Sequence, residues 1–306
     1  MRRKNTIKRV SIVGAGAMGC LFAYFFTRSG IDTGLFETNP DVVEKIRHGL
    51  TVAIDGERVP IRVEVSDQPG SVGAADAVFL FVKSYATRPA MEMVSPFLPP
   101  GSTVVSLQNG IGNREAIAGF VPPEQIVYGA TTIGATKTGL NEVSYGGSGD
   151  IIIGGDDEAA VAGVSGLLEK SGLPVSVSPD PETAVWRKAV INAGINPLGA
   201  LLGIPNGKIL ENPYSLALQE AILREAVAVA HGLSVSIDFT EIAISTRKVC
   251  AATSANRCSM LQDIEAGRKT EIDSINGYIN RQGKALSIYT PVNETLCRLI
   301  KSREPV

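Results

Sequence analysis

The distribution of apolar residues divides the chain into a part with alternating strands and helices and a part with helices alone. Short apolar runs bounded by turn residues predict buried strands at 8–13, 33–36, 77–82 and 103–107. Helices are predicted between them at 14–28, 40–48 (capped by Asn39) and 85–98. Residues 50–65 alternate around Asp55-Gly56, which predicts a hairpin. Short strands over 126–154, a helix near 156–171 and a strand at 175–178 complete this part.

Strand patterns end at the Ser-Pro-Asp-Pro sequence of residues 178–181. Beyond it, helices are predicted at 182–202, 214–231, 238–252 and 258–282. Strands that alternate with helices predict a doubly wound sheet, and helices without strands predict a separate helical domain. The expected fold class is α/β, with a Rossmann-type doubly wound sheet over residues 1–179 followed by an all-helical C-terminal domain over residues 180–306.

Composition narrows the possible partners. The 306 residues, 44% hydrophobic and 20% charged, suffice for two globular domains. The net charge of −2 gives no electrostatic case for a nucleic-acid or membrane partner. The four cysteines lack CxxC or CxxH spacing and there are only two histidines, so we expect no metal centre, no disulfide framework and a cytoplasmic location.

The first 20 residues have a second interpretation. They run from basic to apolar and end at Cys20, which is the order found in secretory and lipoprotein signals. Three glycines interrupt the apolar run, however, and Ala17 stands where a lipidation motif carries a bulky aliphatic residue. A ligand-binding turn explains the glycines better than a signal does.

The first predicted strand runs directly into a glycine-rich turn, formed by Gly14, Ala15, Gly16, Ala17, Met18 and Gly19. In a βαβ unit the first glycine permits a tight turn, and the second lets a dinucleotide pyrophosphate approach the backbone. The third allows close packing of the helix, whose N-terminus receives the phosphate. The turn therefore predicts a dinucleotide site, and the alternative is a glycine-rich turn without a ligand.

Glu37 closes the second predicted strand, 18 residues after Gly19. A carboxylate at this position typically accepts a hydrogen bond from the adenosine ribose 2′-OH and repels a 2′-phosphate, which favours NADH over NADPH. The alternative is a surface carboxylate at a strand end, with Arg28, Lys45 and Arg47 available to recruit a phosphate.

Lys83 and Asn109 follow the predicted strands at 77–82 and 103–107. Ligands of open α/β sheets bind at the carboxyl ends of the strands, so both residues are candidates to contact the nicotinamide or the substrate. Asn109-Gly110 is also an ordinary turn dipeptide, which is the competing interpretation of Asn109.

Lys188, Asn192 and Asn196 recur every four residues in an otherwise apolar helix, and so share one face. A buried ammonium needs a partner, either a carboxylate from elsewhere in the chain or a polar ligand. The alternative is a lysine that extends its ammonium to solvent beside two asparagines that satisfy loop carbonyls.

A second polar stretch contains Ser259, Asp263 and Glu271. Ser259 to Gln262 has the sequence of a capping box, so Ser259 is expected to begin a helix, which does not exclude a ligand role. On a straight helix Ser259 and Glu271 lie roughly 120° apart, so their spacing does not bring them together. A bend at Gly267 is permitted by the sequence without being required.

Five motifs carry a family resemblance over nearly the whole chain. They are GAGAMG at 14–19, FVKSYAT at 81–87, QNGIG at 108–112, WRKAVINAGINPL at 186–198 and SMLQDIEAGRKTEIDSINGYI at 259–279. With these motifs in register, the chain resembles the 2-dehydropantoate 2-reductases, or ketopantoate reductases. The resemblance implies NAD(P)H-dependent reduction of the C2 carbonyl of a 2-oxo acid, in that family ketopantoate on the route to pantothenate.

The resemblance also implies roles for individual residues. Lys188 matches the family's general acid, and Glu271 matches the carboxylate that partners it. Asn192, Asn196 and Ser259 match residues that hold the 2-oxo acid. Lys83 and Asn109 match positions at the junction of cofactor and substrate, and Asn256 matches a position near the substrate.

One departure keeps two functions open. The family's usual enzymes use NADPH and carry a basic residue near the end of the second strand, where this chain has Glu37. The alternatives are an NADH-dependent 2-hydroxy acid dehydrogenase of the same fold that acts on another branched 2-oxo acid and, more remotely, a non-catalytic dinucleotide-binding sensor. We expect a small-molecule substrate and no nucleic-acid or membrane partner, and the helix-rich C-terminal domain is compatible with a homodimer.

Overall fold

The computed structural model describes residues 7–305, which form two compact units. The first comprises residues 7–108 and 113–181, and the second comprises residues 109–112 and 182–305. The basic start of the proposed signal, residues 1–6, lies outside the described residues. Within residues 7–305, no helix combines the length and the apolar character needed to cross a bilayer.

The first unit is built on strands. They are β1 Arg9–Val13, β2 Asp32–Phe36, β3 Leu50–Ile54, β4 Glu57–Ile61, β5 Glu64–Ser66, β6 Ala77–Leu80, β7 Thr103–Ser106, β8 Ile126–Thr131, β9 Ala135–Gly139, β10 Glu142–Tyr145, β11 Ile151–Gly155 and β12 Val175–Val177. Eight of them form one sheet in the order β12-β11-β8-β7-β6-β1-β2-β5, in which only β8 and β11 pair antiparallel. Every residue of β6 and β7 is buried, as their unbroken apolar runs predict.

The other four strands form a smaller sheet in the order β4-β3-β10-β9. The predicted hairpin is confirmed, because β3 and β4 pair antiparallel around Asp55 and Gly56. Both turn residues have positive φ, 50° and 86°, as a tight two-residue hairpin requires. The parallel pairing of β3 with β10 joins segments far apart in the chain, and the local pattern did not predict it.

Five helices belong to the first unit, namely α1 Ala17–Arg28, α2 Pro40–Arg47, α3 Thr87–Val94, α4 Asn113–Ala118 and α5 Glu158–Lys170. Asn39 caps α2 as predicted, since its Oδ1 accepts hydrogen bonds from the backbone N–H groups of Asp41 and Val42. Helix α1 begins three residues later than predicted because residues 14–16 form the glycine turn.

The second unit is helical throughout its described residues. Its helices are α6 Pro181–Leu202, α7 Pro213–Gly232, α8 Phe239–Ala252, α9 Ser259–Glu265, α10 Asn276–Ala285 and α11 Pro291–Lys301. The first three match their predicted bounds to within one residue. The core contains the fully buried Trp186, which packs edge-on against Tyr278 with ring centroids 6.1 Å apart.

The single helix predicted over 258–282 is wrong. Helix α9 ends at Glu265, Gly267 follows with a φ of +62°, and a 3₁₀ turn at Ile272–Ser274 precedes α10. The predicted capping box is also wrong. Cys258 is the N-cap, with its Sγ accepting from the Leu261 N–H, and Ser259 is the exposed first residue of α9. Gln262 donates to the carbonyl of Arg257 instead of reaching back to a capping serine.

Pro197 interrupts the hydrogen-bond ladder inside α6. Because proline has no N–H, the Ala193 carbonyl lacks its helical donor, and the Asn276 Nδ2 donates to it at 3.3 Å. Asn276 also donates to Asn293 Oδ1 at 3.0 Å, and Asn293 donates to the Glu225 carboxylate at 2.7 Å. Both asparagines are fully buried, so this network fixes the middle of α6 against α10 and α11.

Asn276→Ala is therefore expected to destabilise the second unit. It leaves the buried Ala193 carbonyl and the Asn293 Oδ1 without a donor, and each such loss costs about 1–3 kcal/mol. Urea unfolding should report a loss of about 2–4 kcal/mol. Gln282→Ala, at a partly exposed position on the same helix, should change stability by no more than about 0.5 kcal/mol. Equal effects of the two variants would contradict the assigned network.

Candidate active site

The glycine turn connects β1 to α1, and its three glycines face different surroundings. Gly14 has a φ of +100°, and a Cβ there would lie 2.9 Å from the Val82 side chain. A Cβ on Gly19 would collide with the Gly14 carbonyl. Gly16 differs, because a Cβ there would meet only the Phe81 carbonyl oxygen at an ordinary 3.8 Å. Packing within the protein thus requires the first and third glycines, while no internal contact requires the second.

The N-terminus of α1 suits an anion. Gly16 is the N-cap and supplies no side-chain hydrogen bond, and the first turn has no acidic residue. Gly16, Ala17 and Met18 are partly exposed, whereas Ala15 is fully buried. Exposed backbone N–H groups at the positive end of a helix bind phosphate, so this turn fits the pyrophosphate of a dinucleotide.

Glu37 lies beside this turn at the end of β2. One carboxylate oxygen accepts from the Ala15 N–H at 2.9 Å, and the other accepts from the Asn39 N–H at 2.9 Å. These contacts hold the carboxylate next to the glycine turn. The sequence predicted that Glu37 closes the second strand, but not its hydrogen bond with the Ala15 N–H.

A buried polar cluster follows β6 and β7. Gln108 donates to the Val82 carbonyl at 2.7 Å and to the Thr87 hydroxyl at 2.9 Å, and Thr87 donates to Asn113. The Val82 contact fixes the loop that carries the partly exposed Lys83. The sequence analysis did not select Gln108, Thr87 or Asn113 as site residues. It did point to this loop, because the turn dipeptide Asn109-Gly110 follows a buried strand.

Asn109 belongs to the second unit. The segment 109–112 packs with the helices, because the Ile111 N–H donates to the Ser274 carbonyl at 2.8 Å. Gly110 has a φ of +82° and a Cβ there would lie 2.5 Å from the Ser274 Oγ, so the turn fits closely against this residue. Ser274 in turn donates to the Glu271 carbonyl. This bond connects the turn at residues 109–112 to the segment between α9 and α10, called here the Glu271 loop.

Lys188, Asn192 and Asn196 lie on one face of the 22-residue α6, as predicted. Lys188 and Asn192 retain some exposed surface, although the Lys188 ammonium itself is desolvated, and Asn196 is buried. Burial lowers the pKa of Lys188 to about 8, and the negative charge of Glu271 acts in the opposite direction and raises it. Glu271 is therefore a carboxylate whose charge acts on Lys188, and the sequence spacing did not reveal this.

The Glu271 loop is held from the C-terminal end of the chain. Glu304 accepts from the Thr270 backbone N–H at 2.8 Å and from its hydroxyl at 2.6 Å, and the same hydroxyl accepts from the Ile272 N–H. Arg303 donates to the Ala200 carbonyl at 2.7 Å near the end of α6. Arg303 and Glu304, which are adjacent in the chain, thus contact the helix that carries Lys188 and the loop that carries Glu271. No sequence pattern indicated this role.

The remaining selected residues cluster near the N-terminus of α9. The Cys258 thiol donates to the Asn196 carbonyl at 3.4 Å, which places the neighbouring Ser259 beside this part of α6. Asn256 is exposed in the preceding loop, and its carbonyl accepts from the Asn206 N–H at 2.9 Å. The structure therefore ties the start of α9 to α6 at Asn196 through Cys258, and holds Asn256 in a hydrogen-bonded loop three residues before Ser259.

Comparison with known proteins extends over both units. A family model described as "Ketopantoate reductase PanE/ApbA" matches residues 10–158, and its "C terminal" counterpart matches residues 180–304. The 2-dehydropantoate 2-reductase of Archaeoglobus fulgidus is 33% identical over 97% of this chain and 98% of its own length. That of Vibrio cholerae is 30% identical over 96% of this chain and 97% of its own.

Two solved structures are also similar to this chain over nearly its whole length. A D-mandelate dehydrogenase, determined with NADH and anilino(oxo)acetate, has a TM-score of 0.92 and 28% identity, covering 96% of this chain and 97% of that one. A ketopantoate reductase from Ralstonia eutropha JMP134 has a TM-score of 0.90 and 28% identity, covering 96% and 98%.

The parallel sheet, its glycine turn and the lysine-bearing helical unit define a dinucleotide-dependent α/β oxidoreductase. The two family models together match 274 of the 306 residues. The chain belongs to the ketopantoate reductase family, which confirms the resemblance indicated by its five motifs.

Proposed function

We propose that the chain reduces the C2 carbonyl of 2-dehydropantoate to a hydroxyl, with hydride from NADH or NADPH. The observation that carries the proposal is the electrostatic effect of Glu271 on Lys188, which lies on a helix face that also presents Asn192 and Asn196. Residues 1–179 would bind the dinucleotide and residues 180–306 would bind the substrate and supply the catalytic groups. A cytoplasmic location and a homodimer remain predictions.

Lys188 is the proposed general acid. A bound nicotinamide supplies the hydride to C2, and negative charge develops on the carbonyl oxygen. Lys188 Nζ carries a proton at neutral pH, because its pKa of about 8 lies above that pH, and donates it to this oxygen. Glu271 stabilises the protonated ammonium and so keeps Lys188 protonated before each turnover.

The amides on the Lys188 face are proposed to grip the substrate. Each of Asn192 and Asn196 offers donors and an acceptor, which suits a hydroxyl and a carboxylate. Ser259 and Asn256, near the N-terminus of α9, would complete this set. Lys83 and Asn109 would contact the substrate and the nicotinamide end of the cofactor.

The cofactor would bind at the glycine turn formed by residues 14–19. Glu37 beside Ala15 favours NADH, because its carboxylate repels a 2′-phosphate and can accept from a ribose hydroxyl. Family membership favours NADPH. Glu37 supports a second candidate function, the reduction of another branched 2-oxo acid with NADH. The similar D-mandelate dehydrogenase was determined with NADH bound.

A substrate panel separates these candidates. The chain should oxidise NADH or NADPH with 2-dehydropantoate faster than with other branched 2-oxo acids or an aryl 2-oxo acid. A higher kcat/KM for another 2-oxo acid would favour the second candidate. Dinucleotide binding with no turnover of any 2-oxo acid would favour a non-catalytic sensor.

Glu37→Arg is expected to move preference toward NADPH. The substitution replaces a repulsive charge with one that pairs with a 2′-phosphate, so the ratio of kcat/KM for NADPH to that for NADH should rise by about 10- to 100-fold. Glu37→Gln keeps an acceptor for Ala15 and should give a smaller rise. Glu57→Arg, an exposed charge reversal in β4, is the control. An unchanged ratio in both Glu37 variants would mean that this residue does not contact the ribose.

A further inference from the structure

A lysine from the small sheet reaches the glycine turn. Lys137 lies in β9, 122 residues from Ala15 in sequence, and its Nζ donates to the Ala15 carbonyl at 2.6 Å. The side chain is partly exposed, so its ammonium meets both the turn and solvent. Neither the glycine motif nor the family motifs pointed to this residue.

Packing of the small sheet against α1 fixes the position of Lys137. Phe25 of α1 meets Tyr145 of β10 edge-on, with ring centroids 5.8 Å apart. Ala135 and Tyr145 pack against the same hydrophobic core as the buried face of α1. Since β9 pairs with β10, Lys137 is held over the N-terminal turn by the fold itself.

The charge at this position is unfavourable without an anion. The N-terminus of a helix carries a positive partial charge, so an ammonium placed next to it is repelled. Glu37 offsets part of this repulsion, since its carboxylate accepts from the N–H of Ala15, whose carbonyl Lys137 contacts. The Cys20 thiol also donates to this carbonyl, but burial raises its pKa to about 11, so it adds no negative charge at neutral pH.

Two features therefore favour an anion at the same place. One is the partly exposed start of α1 at Gly16, which has no side-chain cap and which no internal contact requires to be glycine, and the other is the Lys137 ammonium beside it. We propose that Lys137 is a cofactor-binding residue, whose ammonium pairs with the pyrophosphate of the bound dinucleotide. The proposal rests on the dinucleotide dependence proposed above. The small sheet would then supply a cation to the glycine turn.

Calorimetric titration with NADH and with NADPH tests this assignment without relying on catalysis. Lys137→Met removes the charge and keeps the length of the stem, and it should weaken binding of both dinucleotides by a similar factor of about 10 to 100. Lys137→Arg keeps the charge and should retain most of the affinity. Lys170→Met, at an exposed lysine that ends α5, is the matched control and should bind like the wild type.

Salt dependence gives a second measurement. The affinity of the wild type should fall more steeply with salt than that of Lys137→Met, because one charge pair is lost in the variant. Unchanged affinity in Lys137→Met would overturn the proposal, and so would a loss confined to NADPH, which would assign Lys137 to the 2′-phosphate. Wild-type protein that binds neither dinucleotide would overturn the proposed function as well, so the two failures are distinguishable.

Discussion

Replacing Lys188 with alanine is expected to lower kcat by about 10²–10⁴-fold while leaving dinucleotide affinity unchanged. The substitution removes the group proposed to donate a proton to the carbonyl oxygen and to stabilise its developing charge. Steady-state kinetics with the preferred 2-oxo acid measure kcat, and a titration of the cofactor measures affinity. Lys248→Ala, an exposed lysine on α8 of the same unit, should have little effect on either. Retention of most of the activity in Lys188→Ala would contradict the general-acid role.

The pKa of Lys188 predicts opposite trends for activity and stability. As the pH rises through about 8, the folded protein loses the Lys188 proton and kcat should fall. Between about pH 8 and the ordinary lysine value of 10.5, the unfolded chain still holds this proton, so the unfolded state binds more protons and the Lys188 contribution to stability rises with pH. Below pH 8 both states are protonated and the folded state bears the full cost of burying the ammonium.

The free-energy cost of burying the Lys188 ammonium distinguishes a catalytic lysine from a structural one. Lys188→Met removes the buried charge and keeps an apolar stem, so its free energy of unfolding at pH 7 should equal or exceed that of the wild type. A variant that is inactive and at least as stable fits the general-acid role. An inactive variant that is also strongly destabilised would assign Lys188 to the structure instead.

Glu271→Gln is expected to have the second largest effect. The carboxylate raises the pKa of Lys188 against the effect of burial, so its removal should lower that pKa below about 8 and shift the alkaline fall of kcat to lower pH. A fall of about two units in this pKa would leave roughly a tenth of Lys188 protonated at pH 7, so kcat at that pH should decrease by about tenfold.

Glu271→Asp keeps the charge and should restore part of the activity and most of the pH profile. The structural role of the loop resides in the Thr270 contacts with Glu304, which both substitutions leave intact. A reduced kcat with an unchanged pH profile in Glu271→Gln would contradict electrostatic coupling to Lys188.

Local patterns predicted the elements whose stability is local. The hairpin at Asp55-Gly56 formed because both residues tolerate positive φ, and Asn39 caps α2 because its side chain reaches the next N–H groups. The helix at 182–202 was predicted almost to the residue. Its polar face with Lys188 followed from periodicity alone.

Elements that depend on contacts between distant segments were missed. The short β5 and the helix α11 were not predicted, and the helix predicted over 258–282 breaks after Glu265. Arg268 donates to the backbone and side chain of Asp263, and Glu304 holds Thr270, so tertiary hydrogen bonds stabilise the loop in place of a continuous helix. Periodicity reports only the preference of the segment itself.

The sequence by itself determined the fold class and the glycine turn, because both follow from spacing over a few turns or strands. It indicated the residues proposed for the chemistry through the even spacing of the Lys188 face and through the family resemblance of its five motifs. Only the tertiary structure decided which of those residues act on one another. It brought Glu271 to Lys188 and Lys137 to Ala15, in both cases from separate elements. Charges interact through space, and the distance between two side chains depends on how their elements pack rather than on their separation along the chain.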